Sequence, residues 1–291
     1  MRGPTQISPC RSLRLDVALA PAMSTHRNST VAIVVDVIRA TTTLAVMFEH
    51  GCRRVLVAPD ITNARAAHIR LPTALLAGEA NGAAPPGFDL GNSPAEMHAQ
   101  LLAGREVIFA TTNGTRALRA CADARAVYAG SLRNAHAVCA AALAEAVIAS
   151  GAPAAIQGRP SQARPYSIEP SESKTEEQPA DILVVCAGRG DRPSLDDTLC
   201  AGYLCRELLS NATNSGRNVS LGEGARIAVA TLRDALASGS LSEALATSDA
   251  ARAISAIGLV GDLAWCAATD ASLAVPRVTG HDEDGLLIVE N

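Results

Sequence analysis

Lysine is almost absent from this 291-residue chain, whose 25 basic residues include a single lysine, Lys174. The other basic residues are arginines, so an arginine at any one position is weak evidence that a site selects a guanidinium group. The shortage nevertheless excludes two classes of mechanism. A Walker phosphate-binding loop requires a Gly-Lys-Ser/Thr sequence, and Schiff-base enzymes require a lysine in the active-site pocket.

Other features are scarce as well. Aromatic residues make up 2% of the chain, so alanine and valine must supply much of the packing. A net charge of −4 with no basic block offers no electrostatic surface for nucleic acid. No uninterrupted apolar run approaches the roughly 18 residues of a membrane span, and the N-terminal segment lacks the apolar region of a secretory signal. We therefore expect neither a nucleic-acid partner nor a membrane partner.

The chain also lacks a Cys-x-x-Cys pair, although it contains eight cysteines. These are scattered through apolar segments. In a chain of this length, the pattern indicates reduced thiols in the core rather than a disulfide framework or a zinc site. We therefore expect a cytoplasmic protein.

Apolar runs alternate with helix-like segments through the first two thirds of the chain. Continuous apolar strands that are each followed by a helix indicate a parallel sheet covered on both faces, so we predict a three-layer α/β/α fold with a largely parallel sheet. The predicted strands are Leu13–Ala20, Val31–Ile38, Arg54–Ala58, Ala74–Ala77, Glu106–Ala110, Ala126–Ala129 and Ile182–Cys186. The predicted helices are Thr42–His50, Thr62–Arg70, Pro94–Leu102, Gly114–Cys121 and Ala135–Ala149.

The last third is predicted to be mostly helical, and two short strands near its end are expected to add an edge to the sheet. Its helices are predicted at Leu195–Asn211, Gly224–Ala237 and Leu241–Ile257, and its strands around Ala274–Val278 and Leu286–Val289.

One segment breaks the alternating pattern. Residues 150–180 contain five prolines and many polar residues without periodicity, so we predict a disordered or loosely packed insertion. A buried strand resumes directly afterwards. The insertion therefore interrupts a single domain of residues 12–291, and residues 1–11 are expected to form a flexible N-terminus.

Acidic residues follow several of the predicted strands. Ligands of doubly wound sheets bind beyond the carboxyl ends of the strands. Asp36 lies near the end of an apolar strand, where a carboxylate is costly to bury unless it is paired or bound to a metal. Arg39 is one candidate partner, so a structural ion pair and a metal site both stay open. The other acids are Glu79 and Asp89 in glycine-flanked loops, and Asp196 and Asp197 at a helix start.

These acids lie beside helix starts that are rich in hydroxyl groups. Mg²⁺ prefers one or two carboxylates and takes its other ligands from water and phosphate oxygens. At least one of Asp196 and Asp197 is expected to cap its helix instead. The pattern is typical of a Mg²⁺-assisted phosphate site.

The segment Ala110–Leu118, ATTNGTRAL, joins a strand to a helix. A helix cap with a flexible glycine is one explanation, because Asn and Thr supply such caps well. An anion cradle is the other, because free backbone N–H groups, hydroxyl groups and the Arg116 guanidinium would then converge. The turn alone does not decide between them.

Six segments carry a resemblance to a known family: VVDVIRATTT, GEANG, GFDLGNSPAE, ATTNGTRAL, GSLRNA and CAGRGDRPSLDD. Together, and in this order, they resemble the 2-phosphosulfolactate phosphatase family from about Leu13 to about Val275. The resemblance implies a Mg²⁺-dependent phosphatase. Its reaction would convert (2R)-O-phospho-3-sulfolactate, or a related phosphorylated hydroxy acid, to (2R)-3-sulfolactate and phosphate, a step toward coenzyme M.

The resemblance also implies roles for individual residues. The implied catalytic residues are Asp36, Arg39 and Asp197. The implied substrate-binding residues are Thr41, Asn92, Ser93, Thr112, Asn113, Thr115 and Arg116. The implied metal ligands are Asp36, Glu79 and Asp89. Mg²⁺ would neutralise the phosphoryl oxygens, and the arginines would hold the remaining charge of a small anionic phosphate ester.

Several alternatives stay open. The nucleophile is either a metal-activated water or an aspartate that forms a phosphoryl intermediate. The haloacid-dehalogenase route is disfavoured because Ile38 stands where that pattern has its second aspartate. An isochorismatase-like hydrolase would need a lysine in its pocket, and a non-catalytic anion-binding or sensory protein would retain only the cradle. Whether the chain forms a homodimer also stays open.

Overall fold

A computed structural model of the chain describes residues 12–149 and 181–291. The predicted flexible N-terminus (1–11) and insertion (150–180) lie outside the described residues. The described part contains a ten-stranded mixed sheet with packed helices, which confirms the predicted α/β fold with three layers.

The strands of this sheet are β1 (Leu13–Ala18), β2 (Val31–Val35), β3 (Arg54–Val57), β4 (Leu75–Gly78), β5 (Glu106–Ala110), β6 (Ala126–Gly130), β7 (Ile182–Cys186), β8 (Val219–Leu221), β9 (Arg277–His281) and β10 (Leu287–Glu290). The α-helices are α1 (Ala40–Glu49), α2 (Ile61–Arg70), α3 (Pro94–His98), α4 (Gly114–Ala120), α5 (Ala135–Ala149), α6 (Leu195–Asn214), α7 (Glu223–Ser238), α8 (Leu241–Ala246), α9 (Asp249–Ala256) and α10 (Asp262–Ala267). Short 3-10 turns occupy Pro21–Met23 and Leu132–Asn134.

The central strand β2 is buried on both faces, as its sequence VAIVV predicts. Successive side chains of a strand point to opposite faces. Ile33 and Val35 accordingly pack into the core that contains α5 and α6. Ala32 and Val34 pack into the core that contains α1. Two hydrophobic cores therefore hold helices against the two faces of the sheet.

The C-terminal strands lie in the middle of the sheet, so the prediction that they add an edge is wrong. The strand order is β4-β5-β3-β10-β9-β6-β2-β7-β1-β8. Strand β10 pairs antiparallel with β3, and β9 reaches β6 through the pair Tyr128–Arg277. The hairpin thus joins two parallel groups of strands. Short strands carry too little pattern to distinguish an edge from a centre.

The helical C-terminal third differs from the prediction in three places. The predicted helix Leu241–Ile257 divides into α8 and α9 at Ser248, whose side chain accepts a hydrogen bond from the Ala251 N–H and caps α9. Strand β8 and helix α10 were not predicted. Helix α10 matters for the site, because it carries Asp262.

One helical stretch in the described part, Leu132–Ala149, is long and apolar enough to cross a membrane, with a mean hydropathy of 1.3. It is not an uninterrupted apolar run, because it contains Arg133 and Glu145. Half of the stretch is buried, and Val138, Cys139 and Ala142 belong to a core that also contains residues of α6. A core helix passes the same test of length and composition. The cysteines of the described part are all free and buried, as expected for core thiols.

Candidate functional site

The segments that follow four strands of the sheet, from the parallel pair β2 and β7 and the parallel pair β4 and β5, line one cleft of about 580 Å³. Its walls include Asp36 after β2, Glu79 after β4, Thr112 after β5 and Gly188 after β7. Residues from Thr247 to Ile254, at the start of α9, close the opposite side. This position is where doubly wound sheets bind ligands.

The structure places most of the predicted site residues in this cleft, but not all of them. The predicted residues that line it are Asp36, Arg39, Glu79, Asn92, Thr112, Asn113, Arg116 and Asp197. The predicted residues that do not line it are Thr41, Asp89, Ser93 and Thr115.

Two of the excluded residues are threonines with internal hydrogen bonds. The Thr41 hydroxyl donates to the Asp36 carbonyl over 3.0 Å and accepts from the Asp36 N–H. The Thr115 hydroxyl donates to the Thr111 carbonyl, and Thr115 is 1% exposed. Both hydroxyl groups therefore support the local backbone, and substrate binding by them does not fit these positions.

The other two excluded residues also have structural partners. An oxygen of Asp89 accepts the Leu76 N–H over 2.8 Å, at the side of β4. Ser93 caps α3 by accepting the Glu96 N–H, and its hydroxyl donates to Asp262 over 2.6 Å. Metal binding by Asp89 and direct substrate binding by Ser93 are therefore not supported by their placement.

Asp36 lies at the base of the cleft and is 8% exposed. Burial, followed by the negative charges of Asp196 and Glu79, raises the pKa of its carboxyl to about 7. The backbone N–H groups of Ala40 and Gly114 act in the opposite direction and favour the carboxylate. The site therefore holds a carboxyl group whose protonation changes near neutral pH.

Gly114 explains why ATTNGTRAL contains a glycine. A Cβ atom at this position would lie 2.6 Å from the Ala40 side chain and 2.8 Å from an oxygen of Asp36. Only glycine allows α4 to approach α1 and the Asp36 carboxylate this closely. The glycine serves a close approach rather than the flexibility that one of the two explanations gave it.

The rest of that turn combines the two functions that the sequence left open. Asn113 occupies the cap position without capping through its side chain. The Thr111 hydroxyl instead accepts the Thr115 N–H over 3.2 Å. Thr112, Asn113 and Arg116 line the cleft. One face of the turn therefore closes the helix start, and the other face lines the cleft.

Arg39 does not form the ion pair with Asp36 that we considered. Its guanidinium donates instead to Asp262 over 2.8 Å and to the Gly82 carbonyl over 2.6 Å. Both members of the Arg39–Asp262 pair have side chains that are 2% exposed. Asp262 lies 223 residues further along the chain, so no local pattern pointed to it.

Asp197 connects three parts of the site. One of its oxygens accepts the Val37 N–H over 2.9 Å, and the other accepts the Gly188 N–H over 2.9 Å and the Ser194 hydroxyl over 3.0 Å. Burial and the charges of Asp196 and Asp36 raise the pKa of its carboxyl well above the usual value, although the two N–H donors favour the charged form. Its geometry is that of a buried crosslink between β2, β7 and α6.

Asp196 is the site residue that sequence reasoning passed over in favour of its neighbour. It is 3% exposed and lines the cleft. Its Oδ1 is buried and has no hydrogen-bond partner among the described residues. Burial raises the pKa of its carboxyl to about 6, against the lowering effect of Ser194 and Arg189. Adjacent side chains at a helix start point in different directions. The sequence therefore already indicated that Asp196 and Asp197 would have different surroundings.

The cleft offers oxygen atoms that suit a divalent cation. Besides Asp196 Oδ1, the Oδ1 atom of Asn92 is buried without a hydrogen-bond partner in the described part of the chain, and Asn92 also lines the cleft. Within residues 12–149 and 181–291, no three His, Cys, Asp or Glu side chains form a ready-made metal cluster. A bound ion would therefore need ligands from water or substrate. Mg²⁺ binds in this way, whereas a structural zinc site does not.

Glu79 links two of the loops around the cleft. One of its oxygens accepts the Gly82 N–H over 2.8 Å, and the other accepts the Thr112 N–H over 2.7 Å. The carboxylate therefore holds the loop after β4 against the turn after β5.

Arginines supply positive charge around the carboxylates of the cleft. Arg39 and Arg116 were predicted, whereas Arg189 and Arg252 were not. Arg116 pairs with Asp191 over 3.4 Å at the exposed mouth, where such a pair is worth little and exchanges readily for a ligand. The cleft is suited to an anion that also needs a cation beside it.

Comparisons with known proteins agree with this chemistry. The sequence profile of the family described as 2-phosphosulpholactate phosphatase matches residues 18–157 and 171–281. The interruption between these matches falls within the predicted insertion.

Curated relatives match over nearly the whole chain. A protein of Deinococcus radiodurans named probable 2-phosphosulfolactate phosphatase is 35% identical, over 93% of this chain and 95% of its own length. A protein of Thermus thermophilus with the same name is 38% identical, over 88% of this chain and 91% of its own length. Another protein with this name, from Carboxydothermus hydrogenoformans, is 28% identical over 96% of this chain and 98% of its own length. The chain belongs to the 2-phosphosulfolactate phosphatase family.

Proposed function

We propose that this protein is a Mg²⁺-dependent phosphatase that hydrolyses (2R)-O-phospho-3-sulfolactate, or a closely related phosphorylated hydroxy acid. The products are (2R)-3-sulfolactate and phosphate, in a cytoplasmic step toward coenzyme M. Family membership and the names of the relatives support the reaction. The observation that carries it is the cleft itself, which brings buried carboxylates, the unsatisfied oxygen atoms of Asp196 and Asn92, and arginines together.

The residues that would hold Mg²⁺ are Asp36, Asp196 and Asn92. Asp36 was among the expected ligands, and the unpartnered oxygens of the other two favour adding them. Asp89 is not in the set, because its carboxylate is committed to β4. When bound, the ion supplies positive charge that neutralises the phosphoryl oxygens.

The chain's own residues hold the phosphate and orient the acids. Thr112, Asn113 and Arg116 project along one wall, where a phosphate group would find hydrogen-bond donors and a guanidinium. Gly114 lets α4 approach the Asp36 carboxylate, whose orientation is held by the N–H groups of Ala40 and Gly114. The attacking group is a water or an aspartate, and both fit this arrangement.

The far side of the cleft suits an acidic leaving group. Arg189 and Arg252 line it together with Asp249, whose carbonyl accepts from Arg189 and whose carboxylate pairs with Arg252. This ion pair is exposed, so it is worth little and exchanges readily for an anionic ligand. Sulfolactate carries a carboxylate and a sulfonate, and both would be attracted to these guanidinium groups. This feature supports a substrate that is more negative than a simple phosphate monoester.

A cysteine hydrolase is disfavoured by the same structure. The single lysine, Lys174, falls within the insertion, so the described part of the cleft contains none. Cys186, Cys200 and Cys266 lie near site residues, and burial raises the pKa of all three thiols well above the usual value. None of them would supply a reactive thiolate.

A substrate screen tests the proposal directly. Purified protein is assayed for phosphate release from phosphosulfolactate, phospholactate and p-nitrophenyl phosphate, with Mg²⁺ and with EDTA. We expect Mg²⁺-dependent turnover with preference for the acid-bearing esters. Phosphate binding without turnover on any ester would instead indicate a non-catalytic anion-binding protein. Turnover that persists in EDTA would contradict the role of the metal.

A further inference from the structure

A chain of hydrogen bonds runs from α10 to the base of the cleft. It begins where Ser93 donates to Asp262 over 2.6 Å, and Asp262 accepts from Arg39 over 2.8 Å. Arg39 then donates to the Gly82 carbonyl over 2.6 Å. The Gly82 N–H in turn donates to Glu79 over 2.8 Å. Five residues from four separate segments are therefore held in one network around the cleft.

The Gly82 peptide is the point at which Arg39 and Glu79 meet. Gly82 has φ 86°, a left-handed conformation that favours glycine. Its carbonyl faces the arginine and its N–H faces the glutamate. Glu79 also accepts the Thr112 N–H. The position of Arg39 is therefore coupled to the turn that begins at Thr112, which is called the phosphate-facing turn below because it is proposed to bind the phosphate group.

Arg39 is placed to act on a ligand, because it lines the cleft while its side chain is 2% exposed. An arginine side chain has many rotamers and holds a single orientation only when fixed acceptors select one. Asp262 and Gly82 supply those acceptors. Donors that are oriented before the reaction stabilise developing charge without reorganising.

We propose that Asp262 is a positioning residue for the reaction, which acts by holding the Arg39 guanidinium against the substrate. The inference rests on the proposed phosphatase function. Asp262 does not line the cleft. Its carboxylate makes α10, a short helix in the C-terminal third, part of the catalytic architecture.

A double-mutant cycle tests the claim. The variants are Asp262→Asn, Arg39→Gln and the double variant, measured with phosphosulfolactate in Mg²⁺. A displacement of about 1 Å at a reacting centre can cost roughly 100-fold in rate. We therefore expect Asp262→Asn to lower kcat by about 10- to 100-fold when Arg39 is present. In the Arg39→Gln background, we expect a further change of less than about threefold, because the group it positions is gone.

Inhibition by inorganic phosphate separates positioning from general damage. Asp262→Asn keeps the charge of Arg39 and removes its neutralising partner, so phosphate should inhibit this variant at least as strongly as wild type. A collapsed cleft would instead lose kcat and phosphate inhibition together. That result, or an equal fall in kcat in both backgrounds, would overturn the proposal.

Glu49→Gln is the matched control. Glu49 accepts two hydrogen bonds from Arg133, each of 2.9 Å, and this pair lies outside the cleft. Removing this ion pair should lower Tm slightly, since partly exposed ion pairs contribute little to stability. It should leave kcat and KM within about twofold of wild type, because neither residue lines the cleft. An equal kinetic loss in this control would show that Asp262 has no special role.

Two further measurements keep the test decisive. If Asp262→Asn does not fold, Arg39→Gln is compared with the double variant, which has no unpaired buried charge. A kcat difference above about threefold between these two variants overturns the claim.

If the wild type binds phosphate by calorimetry without hydrolysing esters, the phosphatase proposal fails separately. The cycle is then evaluated on phosphate Kd: Arg39→Gln should weaken binding, and Asp262→Asn should not. Equal weakening by both would overturn the positioning role.

Discussion

Asp196 and Asp197 are adjacent in sequence, and the structure predicts opposite consequences when each is replaced by asparagine. Asp197 accepts hydrogen bonds from Val37, Gly188 and Ser194. Asparagine keeps one acceptor oxygen but presents an NH₂ group to a buried N–H donor. One or two hydrogen bonds to a charged acceptor are then lost, each worth about 1.5–3 kcal/mol.

The raised pKa of Asp197 reduces this loss, because the substitution also relieves repulsion from Asp196 and Asp36. We expect a net destabilisation of about 2–4 kcal/mol from the lost bonds. For a chain of this size, that corresponds to a fall in Tm of roughly 5–10 °C.

Asp196→Asn should behave differently. The Oδ1 atom of Asp196 has no partner in the described part of the chain, so fewer hydrogen bonds are at stake. Removing the charge also relieves its repulsion with Asp36 and Asp197. We expect the Tm of the metal-free variant to equal or exceed that of wild type, while Mg²⁺-dependent kcat falls by about 100-fold or more because a metal ligand is lost.

Thermal melts with Mg²⁺ and with EDTA, together with steady-state kinetics, give both readouts for each variant. Mg²⁺ should raise the Tm of wild type and of Asp197→Asn, but not that of Asp196→Asn. The assignment of roles would be refuted if Asp196→Asn were the less stable variant and retained Mg²⁺-dependent turnover.

The remaining predictions concern pH, the phosphate-facing turn and the insertion. The raised pKa values of Asp36 (about 7) and Asp196 (about 6) mean that the folded state holds protons which the unfolded state releases near pH 4. The Tm of the metal-free protein should therefore rise as pH falls from roughly 8 to 5, and a flat wild-type profile would count against the raised pKa values. Asp36→Asn should make the dependence of Tm on pH less steep and should abolish most of kcat. Arg116→Ala should lower kcat/KM by roughly 10- to 100-fold and weaken phosphate inhibition, as expected for a lost charged hydrogen bond. Thr115→Val should instead lower Tm with near-normal kinetics, because its hydroxyl bonds to the backbone inside the turn; kinetic loss without a change in Tm would contradict this. Replacing residues 150–180 by a short Gly/Ser loop should leave kcat/KM within a few-fold, and loss of activity would show that the segment covers the site.

The sequence by itself determined the layered α/β class and the set of turns that form the site. Strand β2 is apolar at every position, so it had to be buried on both faces. Parallel neighbours bring their carboxyl ends to one edge, so the turns after β4 and β5 were bound to converge on each other, as were those after β2 and β7. These inferences succeeded because they depend on local periodicity and on a general property of parallel sheets.

Only the tertiary structure decided which side chains at those turns face the cleft. Thr115 and Asp89 belong to the same motifs as their neighbours, yet both bond to the backbone. Asp196 and Asp197 both line the cleft, but the hydrogen bonds from Val37 and Gly188 give Asp197 a structural role. The neighbouring Asp196 keeps an oxygen atom without a partner in the described part of the chain. A turn sequence gives no direction to its side chains until the neighbouring strands are in place.

The two largest surprises both come from the C-terminal end of the chain. The β9–β10 hairpin lies between two parallel groups of strands, and Asp262 reaches Arg39 across 223 residues of sequence. No local sequence pattern predicts either contact, because strand partners in a mixed sheet and the partner of a buried charge are determined by how the whole chain packs. Buried backbone groups and a buried guanidinium must each find a partner, and only the complete fold determines where that partner lies in the sequence.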